Sequence, residues 1–225
     1  MIQKDSLQSN LAQDLVRIHK AITRGLTVGV TRAAKFIEDG FPDRSVQQGF
    51  AEYIQSLGSV LAAHHLSEDE IAFPAFKEVI RTAPYDRLAA DHKKIEAALG
   101  PMMKIIPVVA GANPGAGMDK LYQGLRRVSA LWSPHMKTEE RFFTTTALAE
   151  VMSPVEQAQV SLLMGKHAQE HAGPPFLVLP FVLFNLAGAD RTAMAATLPE
   201  VVMEQLTSKE WMERWAPMKP FLLDQ

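Results

Sequence analysis

Three of the chain's seven histidines have a glutamate four residues further on: His64 and Glu68, His92 and Glu96, His135 and Glu139. Positions i and i+4 of an α-helix lie on one face, one turn apart. An imidazole nitrogen and a carboxylate oxygen so placed can reach one metal ion, or two neighbouring ones. The stretch AAHHLSEDEIAFPAF (62–76) sharpens the question, because two histidines and three acids interrupt an apolar run. Burying such groups without partners costs several kcal/mol each. Either they face water, or a cation sits among them.

The elements that would position these residues read as helices. Strand signals are nearly absent, and apolar residues recur at helical spacing between clusters of Pro and Gly. A first segment over about 7–39 carries a stripe of Leu11, Leu15, Ile18, Ile22, Leu26, Val30, Ala33 and Ile37, and DGFPD (39–43) stops it. A second, about 45–80, carries Phe50, Ile54, Leu57, Leu61, Leu66 and Ile71, with Pro74 predicting a bend or an early end. A third, about 85–110, contains Gly100-Pro101 and Pro107, which weaken its second half. GANPGAG (111–117) reads as a loop, and a fourth segment, about 118–150, has Pro134 predicting a kink or restart. Beyond 150, SPVE (153–156) is a helix N-terminal signature: a Ser cap, Pro at the first helical position, Glu three residues after the cap. A fifth helix to about 172 follows, and TLPE (197–200) and TSKE (207–210) predict two short helices near the C-terminus. The expected architecture is all-α: an up-down four-helix bundle over residues 1–150 and a helical extension over 151–225 packed on it.

In such a bundle, residues on consecutive helices are level when the turn lies midway between them. The midpoint of His19 and His64 falls inside DGFPD, and that of His92 and His135 inside GANPGAG. The midpoint of His64 and His92 lies a few residues before RTAP (81–84), an offset of several ångströms at about 1.5 Å per residue. One histidine per helix therefore falls in roughly one layer. Each also sits on its helix's apolar face: His19 among Leu15, Ile18 and Ile22, His64 after Leu57 and Leu61, His92 with Leu88, Ile95 and Leu99, His135 after Val128, Leu131 and Trp132. Four imidazoles and two or three carboxylates in an apolar interior are a severe desolvation problem without a cation. A bound divalent ion turns that cost into folding energy, on the order of 10 kcal/mol for tight sites. Nitrogen and oxygen donors without sulfur suit iron, zinc or manganese.

Composition narrows the field. Apolar residues make up 47% of the chain and charged residues 21%, enough for a sizeable core. The net charge of -2 gives no polyanion-binding signal, and no nucleic-acid partner is expected. The chain has no cysteine, which removes disulfides, thiolate metal sites, iron–sulfur clusters and thiol catalysis together. The polar start MIQKDSLQSN has no apolar signal core, and the longest apolar run, FLVLPFVLF (176–184), is too short to span a membrane and contains Pro180. A cytoplasmic protein without membrane contact is expected. The Glu-x-x-His pairs of ferritin-type carboxylate sites and the His-Glu-x-x-His motif of zinc proteases are both absent.

RIHKAI, HHLSEDEIAFP, DHKKIEAAL and HMKTEERFF, in that order, resemble the hemerythrin-like, or HHE cation-binding, family. The resemblance covers about residues 10–150. It implies two iron ions bridged by oxygen, with His19, His64, His92 and His135 as terminal ligands and Glu68 and Glu139 as bridging carboxylates; zinc or manganese are the alternatives. It also implies a small partner molecule: oxygen, peroxide or nitric oxide. The chain departs from the oxygen carriers of the family. They have His-x-x-x-His on the third helix where this chain has His92 and Glu96, and one more residue between the His and an Asp on the fourth. The fifth nitrogen ligand is thus missing from its usual place, and Glu96, His65 and His167 are the candidates to replace it. The departure points away from reversible oxygen carriage and toward a redox-active or sensing centre. Asp69, Glu70 and Glu140 read as a solvated face, and HAQEH (167–171) as histidines favouring the negative end of the fifth helix.

Overall fold

The computed structural model describes residues 10–223. Among these, every regular element is helical. Helix α1 (Leu11–Asp39) starts where the Asn10 side chain accepts the Gln13 N–H, and ends at Gly40. Gly40 takes φ 74°, a conformation that costs glycine little, and returns its N–H to the Phe36 carbonyl. Helix α2 (Arg44–Ser67) is capped by Asp43. It does not break at Pro74 but runs into a π-helical turn (Glu68–Ala72), closed by the Phe73 N–H donating to Glu68 O, and then into α3 (Phe73–Val79). Pro74 falls in the first turn of α3, where its missing N–H costs least.

Helices α4 (Tyr85–Val109) and α5 (Gly115–Phe142) run through their internal prolines. The third segment thus keeps its full expected length despite Pro101 and Pro107, and the helix does not restart at Pro134. All three prolines lie on the exposed side of their helix. The carbonyls they leave without a donor there meet water, while the inner face packs without interruption. GANPGAG is shorter as a loop than the sequence suggests, since α5 begins at Gly115.

The four long helices touch in a ring: α1 on α2, α2 on α4, α4 on α5 and α5 on α1. Their inner faces, together with residues of α3 and of the C-terminal third, build two apolar clusters. One holds Leu11, Leu15, Phe73, Phe76, Leu88 and Phe143; the larger holds Ile22, Leu61, Ile95 and Trp132 among others. Leu15 and Ile22 belong to different clusters with His19 between them, and so do Leu88 and Ile95 with His92 between them. A polar layer thus separates two dry ones.

The C-terminal third is helical too: α6 (Thr145–Val151), α7 (Pro154–His171), α8 (Pro175–Phe184), α9 (Gly188–Ala195), α10 (Glu200–Leu206), α11 (Lys209–Trp215) and a 3-10 segment (Ala216–Phe221). The Ser153/Glu156 capping box forms as its sequence predicts. The two later signatures do precede helices, but with other caps: α10 follows Pro199 with no side-chain cap, and Ser208 rather than Thr207 caps α11. Helix α7 lies on α1, α2 and the π turn, α8 on α1 and α2, and the 3-10 segment along α2. That last approach is close enough that a Cβ on Gly49 would collide with the Pro217 carbonyl. A buried polar knot fastens the same region. Tyr53 Oη donates to Asn185 Oδ1 over 2.8 Å, Asn185 Nδ2 donates to Phe181 O over 2.7 Å, and Arg24 donates to Asn185 Oδ1 and Phe221 O. Among the described residues, no helix is long and apolar enough to cross a membrane.

Candidate metal centre

The polar layer gathers His19 from α1, His64 and His65 from α2, Glu68 from the π turn, His92 from α4, and His135 and Glu139 from α5. All seven are buried, none more than 6% exposed. Their ligand atoms form two four-residue groups, each within a span of 4.8 Å: His19, His64, Glu68 and Glu139 in one, His92, His135, Glu68 and Glu139 in the other. Both carboxylates belong to both groups. The four histidines singled out from spacing and the two carboxylates implied by the resemblance are therefore brought together, in two adjacent sets that share Glu68 and Glu139.

His92 Nε2 and His135 Nε2 form a buried hydrogen bond over 3.1 Å, and the histidine–carboxylate contacts inside the layer are close but longer. Glu139 Oε2 lies 3.4 Å from His19 Nε2, and Glu139 Oε1 lies 3.2 Å from His135 Nε2 and 3.6 Å from His92 Nε2. Glu68 Oε2 lies 3.4 Å from His64 Nε2 and 3.5 Å from His92 Nε2. His19 Nε2, His64 Nε2, His65 Nε2, Glu68 Oε2 and both Glu139 oxygens are buried with no hydrogen-bond partner. Native interiors satisfy nearly all buried polar atoms, so this concentration of unsatisfied donors and acceptors calls for an ion. An all-nitrogen-and-oxygen donor set, aimed inward from four helices, fits a divalent metal. The buried cluster could hold metal ions, and the chain has no cysteine thiolate to compete.

The electrostatics of the metal-free layer carry the same strain. Burial alone would lower the His19 pKa, but Glu139 and Glu140 outweigh it and raise it to about 9. Burial likewise opposes protonation of His92, yet Glu139 and Glu68 hold it up at about 10. Burial, then the Glu139 charge, pushes Glu68 up to about 7. Burial and the neighbouring imidazoles hold His64 and His65 well below the usual histidine range. Without metal, protons stand in for cations on some imidazoles and are refused by others.

Two acids read from the sequence as a solvated face are partly open to solvent, and each also reaches a buried imidazole. Asp69 Oδ1 lies 3.0 Å from His92 Nδ1, and Glu140 Oε1 lies 3.0 Å from His19 Nδ1. Each holds the outer nitrogen of a buried imidazole, which leaves Nε2 facing the layer. Carboxylates so placed fix ring orientation and tautomer. Glu70, the third acid, meets His167 Nε2 from α7 over 2.8 Å. His167 does fold back from the tail, but it stops at Glu70. Glu96 is exposed and points away. His171 Nδ1 contacts the His167 carbonyl over 2.8 Å, in keeping with a helix-end role.

Aromatic rings close the layer on both sides. Trp132 stands edge-on to His19 at 5.4 Å, with its Nε1 donating to Thr23 Oγ1 over 2.9 Å. Phe73 stacks on His92 at 5.4 Å with an interplanar angle of 13°. Neither ring's place was legible beforehand, since apolar spacing marks a residue as inward without saying what it covers.

The family model described as "Hemerythrin HHE cation binding domain" matches residues 10–146. No curated protein and no solved structure matches the chain. The matched span begins just ahead of His19, ends beyond Glu139 and takes in every residue of the polar layer. By that match, which covers more than half its length, the chain belongs to the hemerythrin HHE cation-binding domain family.

Proposed function

We propose that this protein carries a non-haem di-iron centre in a hemerythrin-like, up-down four-helix bundle, and that the centre binds or reacts with oxygen, peroxide or nitric oxide. One observation carries the reading: two four-donor groups lie side by side and share both of their carboxylates. A single ion needs only one such group. A shared pair of carboxylates is what two neighbouring cations require.

In this reading His19 and His64 would hold one ion and His92 and His135 the other, with Glu68 and Glu139 placed to serve both. A ferrous pair would supply electrons to a small oxidant and an open position for it to bind. The chain's own residues do the rest. Glu140 and Asp69 hold His19 and His92 by their outer nitrogens, so that Nε2 presents a lone pair inward. Trp132 and Phe73, with the two apolar clusters beyond, exclude water from the layer. In the metal-free layer burial raises the Glu68 pKa to about 7, so an arriving cation would displace its proton near neutral pH.

The test is an absorption spectrum. Protein loaded anaerobically with ferrous ion should be nearly colourless and develop a charge-transfer band on exposure to air. A sample that takes up iron and stays colourless in air would reject the oxidant chemistry.

A second reading, a regulatory module that senses iron or redox state without turnover, is favoured by the Glu70–His167 contact. It ties α7 to the same π turn that carries Glu68. Metal-dependent protection of α7 from hydrogen exchange would support it, and identical exchange with and without metal would remove it. A metal-free interaction protein is the least favoured, because it leaves the unsatisfied layer without a purpose.

A further inference from the structure

We propose that His65 is a fifth imidazole ligand of the centre, held against the ion at the His92–His135 end. The inference rests on the two-metal reading above and deepens it. Nitrogens of His65, His92 and His135 lie within a span of 4.8 Å of one another. The His65 ring stacks on His92 with centroids 4.1 Å apart and an interplanar angle of 15°, and stands edge-on to His135 at 5.2 Å. It is 6% exposed, and its Nε2 is buried with no hydrogen-bond partner. A structural histidine at such a depth would have found a backbone or side-chain partner.

The ring of helices explains how two consecutive residues can both face inward. Adjacent residues of a helix project about 100° apart. Helix α2 lies between α1 and α4. His64 therefore turns toward α1, with its ring 5.0 Å from His19, while His65 turns toward α4 and His92. Consecutive histidines on one helix serve opposite ends of the same layer. The other two candidates for a fifth ligand are out of reach: Glu96 is exposed, and the Nε2 of His167 is engaged by Glu70. The assignment gives the two ends unequal donor sets, three imidazoles at one and two at the other.

The full chain is titrated anaerobically with ferrous ion against a chromophoric chelator. The wild-type chain should take up two ions. His65→Phe, which keeps a flat ring against His92, should bind one ion as before and the other at least tenfold more weakly. In 57Fe Mössbauer spectra only one of the two iron signals should change. Glu96→Gln and His167→Phe should leave both binding steps as they are. His65→Gln repeats the test with a smaller side chain if the Phe variant loses its helical circular dichroism. A measurement on the unmutated chain needs no variant at all: loaded with zinc, one ring nitrogen of His65 should show a metal-induced 15N shift, as one of His92 should. Two tight ions in His65→Phe with unchanged Mössbauer signals, or a His65 nitrogen shift untouched by zinc, overturns the assignment while the two-metal reading stands. A wild-type chain that takes up fewer than two ions removes both.

Discussion

Asp69 stands to His92 as Glu140 stands to His19: each carboxylate lies 3.0 Å from the outer nitrogen of a buried imidazole, on opposite sides of the polar layer. Outer carboxylates of this kind orient a ligand and raise its basicity. Asp69→Asn and Glu140→Gln should each weaken metal binding by about 10- to 100-fold without lowering the number of ions bound at saturation. Competition with a chelator of known affinity reads the change. Unaltered affinity in both variants would show that the two acids only solvate the surface.

Metal removal should cost stability. Binding to the folded state alone stabilises by mass action, about 2.7 kcal/mol when free metal is a hundredfold above its dissociation constant. Calorimetry should show Tm rising with metal concentration and falling on chelation. Replacing Glu139 by Gln should abolish most of that rise, since Glu139 belongs to both donor groups. A Tm indifferent to metal would mean the layer folds as tightly empty as filled.

Metal should displace protons, and the displacement fixes a pH dependence. The His19 and His92 pKa values are raised in the metal-free fold, to about 9 and about 10, from an ordinary 6.5. A raised pKa means that the folded state binds the proton more tightly than the unfolded chain does. The stability this contributes is full below pH 6.5 and fades as pH rises through the two raised values. Metal needs the same imidazoles deprotonated, so its affinity rises over that window. The difference in Tm between metal-bound and metal-free protein should widen from pH 6.5 toward 9. Near neutral pH, calorimetric titration in buffers of different ionisation enthalpy should detect proton release on binding. Proton uptake, or none, would contradict the electrostatics of the layer.

The C-terminal third should be separable from the centre by mutation. Gly49→Ala drives a methyl group into the Pro217 carbonyl, where the 3-10 segment rests on α2. Overpacking of this kind costs about 1–3 kcal/mol. Urea denaturation should show that loss. The number of ions bound should not change, because Gly49 is four turns of α2 away from His64, about 22 Å along the helix. Loss of metal together with stability would show that the tail and the layer act as one unit.

How much of this was legible depends on what each residue needs. His19, His64, His92 and His135 could be named because helical periodicity and turn midpoints are properties of the chain alone, whereas the choice of Glu68 and Glu139 came with the family resemblance. Their convergence needs only that the four helices close a ring. Glu96 has the same i+4 relation to His92, yet the α4 face that packs inward follows His92, Ile95 and Leu99, and Glu96 stays in water. His65 could not be placed, because its direction has meaning only once α4 is known to flank α2 on that side. Asp69 depends on the π turn, which Pro74 announced as a disturbance without saying of what kind. Pro134 suggested a restart that α5 does not make, because a breaker on the exposed side of a well-packed helix has little to break. In the tail, FLVLPFVLF is too uniformly apolar to show a period, so α8 was legible as buried surface but not as a helix.

The central claim is the shared pair of carboxylates, and the most direct measurement is a count of ions. Full-length protein, stripped of metal and titrated anaerobically with ferrous ion, should bind two equivalents per chain, and Glu68→Gln combined with Glu139→Gln should remove both. Saturation at one equivalent or none, or a double variant that still binds two, would contradict it.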